Sequence, residues 1–366
     1  SRDDAGQLTS LIVRLHHHIA GVQERRADYQ SAFTWLGYAI EQSTAAPIEL
    51  GRCFLLAAGI YQRQGQYDHA LDWTQRALQA FAGQESRNDL AHAYYSLGGT
   101  YGKLGRTQDA VVAIEQSLRL YEETGNIAGQ ADAHNNLANV LAVTAGRLQE
   151  SAVHCQAALE LKEAIGDTHG QAVMANNLGD LKRKLGAYDE AMHYFGLALE
   201  QFTRLGSDYG VAVLHMNMGA TSLRQGELTA ARRHIERSRR LFEQLGSEEF
   251  LPELYQVYAE LALTEAQPDT ALRWAEESLT LAQRLSARAE EGQIRRVRSR
   301  IRQALGQPEA ACGELRQAST IFREIDNYSA LAQCLEELAQ ITDDHDEAAA
   351  ARTEAHYLRS SDLPPA

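Results

Sequence analysis

A column of asparagines offers the most distinctive chemistry in this sequence. Asn136, Asn177 and Asn217 are separated by 41 and then 40 residues, so one side-chain amide recurs at a nearly constant interval. A primary amide both donates and accepts hydrogen bonds, which allows it to hold the main-chain peptide unit of another polypeptide. Asparagine is also a mediocre helix former, so its repetition inside helices carries a mild local cost. Two interpretations stay open: the column binds a ligand, or its amides bond to neighbouring helices or belong to a repeat copied by duplication.

Five arginines are concentrated between residues 295 and 302, and we refer to them as the arginine patch. Such a run can receive an acidic partner surface or nucleic-acid phosphates. The alternative is a solvated helix face whose arginines pair with carboxylates one turn away, and Glu290 and Glu291 are close by. The chain has 35 Lys plus Arg against 49 Asp plus Glu, a formal net charge of −14, which argues against nucleic-acid binding. The patch consists of Arg295, Arg296, Arg298, Arg300 and Arg302.

The sequence contains no catalytic or metal-binding pattern. His16, His17 and His18 are consecutive, so on a helix they point in different directions and do not converge on one metal ion. There is no phosphate-binding glycine loop, no nucleophile elbow and no zinc-protease histidine pair. The 4 cysteines form no CxxC pair, which favours a reducing compartment over a disulfide framework. We therefore predict no cofactor, no metal and no enzyme activity, unless a pocket brings titratable groups together.

A 40-residue repeat determines the elements that must position these side chains. Three series of glycines keep this period, and Ala266 occupies one slot of the first series. Each period contains two stretches with apolar residues three and four positions apart, the pattern of amphipathic helices. Alternating β-branched runs are absent, so we predict no strands. The series are Gly65, Gly105, Gly146, Gly186, Gly226 and Gly306; Gly125, Gly166, Gly206 and Gly246; and Gly129, Gly170 and Gly210.

Small residues at fixed positions predict close packing between the two helices of each period. A Leu-Gly pair such as Leu178-Gly179 precedes the turn, and a turn glycine such as Gly186 ends the first helix in a left-handed conformation. An alanine follows five residues later, as in Ala191, and another small residue follows seven positions further on, as in Ala198. Helices approach to about 8–10 Å only where the contacting residues are small.

The combined pattern resembles the tetratricopeptide repeat, here with a lengthened second helix and a 40-residue period. The motif is carried by Leu178-Gly179, by Gly186 through Ala191, and by Ala198-Leu199. The resemblance covers essentially the whole chain and implies an all-α, right-handed superhelical solenoid of about nine helical hairpins, forming a single domain over residues 1–366. We place the repeats at about 8–48, 49–88, 89–129, 130–170, 171–209, 210–249, 250–289, 290–328 and 329–360, with a tail at 361–366.

That resemblance implies where a ligand would bind. In tetratricopeptide arrays the first helix of each hairpin forms the concave wall, and related proteins that bind extended peptides use a ladder of asparagines. By this analogy Asn136, Asn177 and Asn217 would hold the main chain of a protein or peptide ligand. The remaining groove candidates are charged residues that would read its charge, apolar residues that would read its side chains, and further amides. They are Asp180, Arg183, Lys184 and Arg224; Tyr95 and Met216; and Asn135, Asn139 and Asn176.

A closer resemblance concerns a possible parent protein. Gly125–Val140, Gly210–Ala220 and Gly246–Gln293, above all the stretch from Phe250 to Tyr255, are similar to the C-terminal repeats of large bacterial signalling proteins. Those proteins join an adenylate or guanylate cyclase to a STAND or AAA-type ATPase, and some transcription regulators carry similar arrays. The chain begins at Ser1 without a methionine, so we expect a segment of a longer protein.

The role implied by this resemblance is that of a cytoplasmic regulatory or sensor arm. Its partners would be a protein or peptide ligand and other domains of the same parent chain. No run approaches the eighteen apolar residues or so that a membrane span needs, so we expect no membrane partner. The alternative is an architectural module that holds its parent protein together without an external ligand.

Overall fold

The computed structural model describes residues 2–43 and 46–360, and these residues form helices and the turns between them, as the repeat pattern predicts. They divide into two compact units, unit 1 (Ser1–Val140) and unit 2 (Leu141–Ala366). The tail expected at 361–366 lies outside the described residues. The helices are α1 (Arg2–Arg25), α2 (Tyr29–Gln42), α3 (Pro47–Arg63), α4 (Tyr67–Phe81), α5 (Arg87–Lys103), α6 (Thr107–Thr124), α7 (Ile127–Ala142), α8 (Leu148–Ala164), α9 (Thr168–Lys184), α10 (Tyr188–Arg204), α11 (Asp208–Arg224), α12 (Leu228–Leu245), α13 (Leu251–Thr264), α14 (Pro268–Arg284), α15 (Arg288–Ala304), α16 (Pro308–Glu324), α17 (Tyr328–Ile341) and α18 (His345–Ser360).

Consecutive helices pack against each other as hairpins. In unit 1 the pairs are α1 with α2, α3 with α4 and α5 with α6. In unit 2 they are α9 with α10, α11 with α12, α13 with α14, α15 with α16 and α17 with α18. The first helices of neighbouring hairpins also meet in unit 2, where α13 contacts both α11 and α15. This is the arrangement of helical hairpins that the sequence predicts, and it places the first helices of unit 2 side by side.

The glycines of the first two series occupy left-handed turns, whereas Gly129, Gly170 and Gly210 lie inside helices. Gly186, at the end of α9, has φ of +80°, and Gly206, at the end of α10, has φ of +67°. Ala266 has φ of +58° although it carries a Cβ, which confirms that it takes the place of a turn glycine. Each such turn reverses the chain within three or four residues, so the next helix can pack back on the one before it.

Close contact between helices depends on the small residues. Ala191 and Ala198 are 0% exposed in the core of their hairpin. A Cβ on Gly179 would lie 2.6 Å from the ring of Phe195, and a Cβ on Gly210 would lie 2.6 Å from the ring of Phe202. Glycine at these two positions lets one aromatic ring of α10 lie directly on the backbone of α9 and another lie on the backbone of α11.

Candidate ligand-binding cavity

The first helices of unit 2 surround a cavity of about 660 Å³. Its wall is formed by α9, α11, α13, α15 and α17 and by the segment between α7 and α8. The backbone N–H of Ser329 donates a 3.0 Å hydrogen bond to the carbonyl oxygen of Val143. The backbone at Gly146 also lies against the carbonyl of Arg359. The last hairpin of unit 2 therefore meets the first residues of the same unit, and the wall is continuous around the cavity.

Three asparagines on this wall form a directed chain of amides. Nδ2 of Asn217 donates to Oδ1 of Asn176 at 2.9 Å, and Nδ2 of Asn176 lies 3.5 Å from Oδ1 of Asn177. Among the described residues, no hydrogen-bond donor reaches Oδ1 of Asn217 and no acceptor reaches Nδ2 of Asn177. Asn217 is only 7% exposed as a residue, but its Oδ1 is not fully buried. The chain of amides thus ends in one unused acceptor and one unused donor, both on the cavity wall.

Two residues of α9 are held by one carboxylate. Asp180 pairs with Arg183, and its Oδ2 lies 2.8 Å from Nζ of Lys184. Burial opposes the ionisation of Asp180, but Lys184 and Arg183 together outweigh it and hold the pKa of this carboxyl well below its usual value. Asp180 is therefore ionised, and both of its cationic neighbours are already paired.

A second ion-pair network crosses three helices. Oε2 of Glu260 on α13 lies 2.7 Å from Nη2 of Arg224 on α11, and its Oε1 lies 3.2 Å from Nη2 of Arg300 on α15. Glu260 is 8% exposed, and burial opposes its ionisation, but Arg300 and Arg224 lower its pKa overall. This network ties together three successive first helices.

Arg296 connects α15 to the last hairpin. Its guanidinium pairs with Glu337 on α17 and donates 3.1 Å hydrogen bonds to Oε1 of Gln333 and of Gln293. The side chain of Arg296 is 14% exposed and that of Glu337 is 34% exposed, so the pair is partly removed from solvent. The wall is thereby joined by polar contacts from α11 through α17.

Two carboxylates on the wall stand apart from these networks. Among the described residues, Glu253 on α13 and Glu290 on α15 have no hydrogen-bond or ion-pair partner. Burial, together with the nearby Asp180 and Glu290 carboxylates, raises the pKa of Glu253 to about 7 against the opposing effect of Arg183. The cavity therefore contains a carboxyl that is half protonated near neutral pH.

The structure gathers eight of the predicted groove residues around this one cavity. They are Asn176, Asn177, Asp180, Arg183, Lys184, Met216, Asn217 and Arg224. The hydrogen bond between side-chain amides of successive repeats joins Asn217 to Asn176. It does not join Asn217 to Asn177, which is the member of the predicted column. Met216 is only 1% exposed and packs in a core with Leu254 and Tyr258, so it offers little apolar surface to a ligand.

The other predicted groove residues lie in unit 1. Tyr95 is on α5 with its ring 6.1 Å from that of His92. Asn139 is exposed, whereas Asn135 and Asn136 are half-buried. Oδ1 of Asn135 is buried and has no partner among the described residues.

The arginine patch separates into residues with different surroundings. Arg295 pairs with Glu291 at 3.1 Å and with Glu314 at 3.2 Å, and Arg298 pairs with Glu314 at 3.0 Å. The side chains of both arginines are 13% exposed. Arg296 and Arg300 line the cavity, and Arg302 donates a 2.7 Å hydrogen bond to Gln307. The pairing with carboxylates that the sequence offered as an alternative is present, and it extends to Glu314 on the following helix.

The sequence reasoning missed Gln256 and Glu260 on the wall although a signal was present, and it named Arg296 and Arg300 only as part of the arginine patch. Adding one period of 40 residues to Met216 gives Gln256, and a second period gives Arg296; both line the cavity. Glu260 and Arg300 are likewise one period apart. Extending the predicted groove positions of the repeats at 171–209 and 210–249 by the 40-residue period would have located these residues.

Comparison with known proteins agrees with this architecture. Residues 52–123 and 129–204 match the family model of the tetratricopeptide repeat. No curated protein sequence matches the chain. In the described part of the chain, no helix combines the length and the apolar character that a membrane crossing requires.

Solved structures share the fold at low sequence identity. A STAND ATPase with a tetratricopeptide repeat sensor from Pyrococcus horikoshii has a TM-score of 0.61 at 13% identity over 89% of this chain, and the match spans 49% of that protein. A Rap protein complexed with competence and sporulation factor has a TM-score of 0.56 at 16% identity, covering 94% of this chain and 88% of that one. Aspartyl phosphate phosphatase F from Bacillus subtilis has a TM-score of 0.59 at 12% identity, covering 96% and 94%.

Proposed function

We propose that the cavity of unit 2, in an array of hairpins similar to tetratricopeptide repeats, binds an extended polypeptide segment. Asn177 and Asn217 would hold the main chain of this segment. One observation carries this proposal. The amide chain ends in a free donor, Nδ2 of Asn177, and a free acceptor, Oδ1 of Asn217, which are the two complements of a peptide unit. Neither atom is fully buried, so a ligand's main chain can reach both of them from the cavity.

The fold neighbours support the proposal by analogy. The Rap protein is complexed with competence and sporulation factor, and the Pyrococcus protein contains a tetratricopeptide repeat sensor. Both are similar to this chain in fold, so they support a recognition role without indicating which polypeptide binds here.

Selection from a displayed library of short random peptides on the immobilised full chain tests the proposal. We expect enriched peptides to bind the Asn177→Ala/Asn217→Ala variant about tenfold more weakly, because two hydrogen bonds of about 0.5–1 kcal/mol each are lost. Gln303→Ala is the matched control, since it removes an exposed amide of α15 that does not line the cavity. Failure to enrich any peptide, or equal binding to the double variant and the wild type, would contradict the proposal.

Binding accounts for the cavity better than catalysis does. The sequence analysis required converging titratable groups for an enzyme, and the cavity does bring together Asp180 and Glu253 with opposite pKa shifts. Asp180 is already engaged by Arg183 and Lys184, however, and neither histidine nor cysteine lines the wall. The phosphatase among the fold neighbours resembles this chain at only 12% identity.

An architectural role is the second candidate, and the closure of unit 2 favours it. The hydrogen bond from Ser329 to Val143 joins the two ends of the unit without a ligand. Under this alternative the free amides would face a segment of the parent protein, and the displayed peptides would not bind in the cavity. A role in nucleic-acid binding has less support, because Arg295, Arg296, Arg298 and Arg300 are all paired with carboxylates.

We further propose that the chain is the cytoplasmic sensor arm of a larger signalling protein. The STAND ATPase supports this, since the match spans 49% of its length. The four cysteines are free and buried, as expected in a reducing compartment. Sequencing the reading frame upstream of Ser1 tests this proposal. An ATPase or cyclase domain in the same frame is expected, and a start codon with no such domain before it would contradict the proposal.

A further inference from the structure

We infer that the ligand of the unit 2 cavity carries a cationic group, either a Lys or Arg side chain or a free N-terminal ammonium, that binds against Glu253 and Glu290. This inference rests on the proposed function and adds the chemical class of the ligand. It comes from two carboxylates that have no partner among the described residues and from an unused amide oxygen on the same wall.

Every cation on the wall is already paired within the molecule. Arg183 and Lys184 pair with Asp180, Arg224 and Arg300 pair with Glu260, and Arg296 pairs with Glu337. Asp180 and Glu260 are each shared by two of these cations. In the described part of the chain, Nε of Arg183 and Nε of Arg300 are buried without a hydrogen-bond partner, and the carbonyl oxygens of a polypeptide main chain are suitable acceptors for them. An acidic side chain is therefore not needed to satisfy the donors of the wall.

Two carboxylates on the wall have no ion-pair partner in the part of the chain that the structure describes. Glu253 on α13 and Glu290 on α15 line the same cavity, and neither has an ion-pair partner among the described residues. Arg183 and Lys184 on α9 lower the pKa of Glu253, but burial together with the Asp180 and Glu290 carboxylates outweighs them. A cationic group placed here would give an ion-pair partner to a carboxylate that has none.

An independent observation points the same way. Oδ1 of Asn217 is an acceptor without a donor, on a side chain that is 7% exposed and lines the same cavity. An ammonium or guanidinium group brings several N–H donors and no acceptor. The cavity thus presents unused acceptors, two carboxylates and an amide oxygen, that such a donor-rich group would satisfy.

Binding of a cation should also release protons. In the empty cavity burial and the neighbouring Asp180 and Glu290 carboxylates raise the pKa of Glu253 to about 7. A bound cation favours the ionised carboxylate and lowers that pKa, so the proton leaves as the ligand binds. We expect the affinity for a permanently charged ligand to rise several-fold between about pH 6 and pH 8.

Three synthetic libraries of short random peptides without other charged residues provide the test. The first is N-acetylated with one fixed arginine, the second is N-acetylated with neutral citrulline in its place, and the third has citrulline and a free N-terminus. We expect the first or the third library to bind the full chain about tenfold or more tightly than the second. Which of the two binds identifies the side chain or the terminus as the cationic group.

Variants then connect the preference to the two carboxylates. Glu253→Gln and Glu290→Gln should each remove most of the preference, and Glu253→Gln should also remove the rise in affinity with pH. Glu309→Gln, at an exposed position of α16 away from the cavity, is the matched control and should leave both unchanged. Thermal unfolding of each variant shows that it is folded.

The outcomes separate the two proposals. Equal binding of the neutral and cationic libraries, with binding still lost in Asn177→Ala/Asn217→Ala, would overturn the cationic ligand and leave peptide recognition standing. A preference for arginine that persists in both glutamine variants would also overturn it. Absence of binding by all three libraries would contradict peptide recognition itself.

Discussion

Nδ2 of Asn217 donates a 2.9 Å hydrogen bond to Oδ1 of Asn176, although the two residues are 41 positions apart in the sequence. The bond joins the first helices of two successive hairpins, α9 and α11, on the cavity wall. It uses half of each amide group and leaves Oδ1 of Asn217 for another donor. The same side chain can therefore hold two helices together and still contact a ligand.

This pairing predicts a measurable coupling between the two amides. In a double-mutant cycle with Asn176→Ala and Asn217→Ala, we expect a coupling free energy of about 0.5–1 kcal/mol in urea unfolding. Each single substitution already removes the partly buried hydrogen bond, so the double substitution costs less than the sum of the two single ones. The matched cycle with Asn177→Ala and Asn217→Ala should show a smaller coupling, since these two residues are joined only through Asn176. Equal coupling in both cycles would show that the bond is not the cause.

The closure of unit 2 predicts protection of one amide hydrogen. Ser329 is the second residue of α17, where backbone N–H groups have no partner within the helix. Its N–H instead donates to the carbonyl of Val143, so we expect it to exchange with solvent more slowly than the N–H of Ala289 by about an order of magnitude or more. Ala289 is the second residue of α15, one period earlier, and serves as the control.

Residue-resolved hydrogen exchange by NMR measures this difference. Ser329→Pro should remove the closure while keeping α17, because proline is tolerated in the first turn of a helix. Ser329→Ala keeps the N–H and should behave as the wild type. Similar exchange rates for Ser329 and Ala289 in the wild type would mean that the two ends of unit 2 do not stay joined in solution.

Two glycines in adjacent helices predict opposite responses to alanine. A Cβ on Gly179 would lie 2.6 Å from the buried ring of Phe195, so Gly179→Ala should lower the free energy of unfolding by about 1–3 kcal/mol through overpacking. Gly196 lies inside α10 and is exposed, and a Cβ added there would have no other atom within 4 Å. Gly196→Ala should raise stability by about 0.5–1 kcal/mol, because alanine is the better helix former.

Chemical denaturation of both variants measures these changes. Both substitutions add the same methyl group to a helical glycine, so the difference between them isolates the contact with Phe195. A Gly179→Ala variant that is as stable as Gly196→Ala would mean that the ring moves aside at little cost.

The fold could be predicted from the sequence because its determinants are local and repeated. The turn at Gly186, the alanine at Ala191 and the small residue at Ala198 recur with the 40-residue period, and each has a conformational or steric meaning of its own. Even Ala266 was identifiable as a left-handed turn from its place in the series. Periodic spacing therefore carries the secondary structure and the hairpin pairing.

The candidate site could be predicted only in part. The sequence analysis named Asn177, Asn217 and Asp180 as groove residues from their positions in the repeat, and all three line the cavity. Whether a charge is paired depends on helices 16 to 41 residues away, as for Arg298 with Glu314 and Arg296 with Glu337. Glu253 was passed over because an unpaired carboxylate is recognisable only after every neighbouring cation has been assigned a partner.

A pair of histidines predicts the pH dependence of stability. Nδ1 of His215 on α11 lies 3.0 Å from Nδ1 of His234 on α12, so one ring donates and the other must be neutral to accept. Burial, reinforced by His234, Arg237 and Arg233, lowers the pKa of His215 to about 4. Burial and Arg233 also lower the pKa of His234. Protonation of either ring is therefore disfavoured in the folded state.

Because the unfolded chain binds these protons more readily, the contribution of the pair is complete above about pH 6.5 and is lost as the pH falls towards 4. His215→Gln removes this titration while keeping a donor and an acceptor at the position. The measured quantity is the difference in free energy of unfolding between the variant and the wild type, obtained from urea unfolding. Between about pH 7.5 and about pH 5 this difference should shift in favour of the variant by about 1–2 kcal/mol. His193→Gln, at an exposed position of α10, controls for the loss of one imidazole. An unchanged difference between His215→Gln and wild type at the two pH values would show that the histidine pair does not destabilise the acidic form.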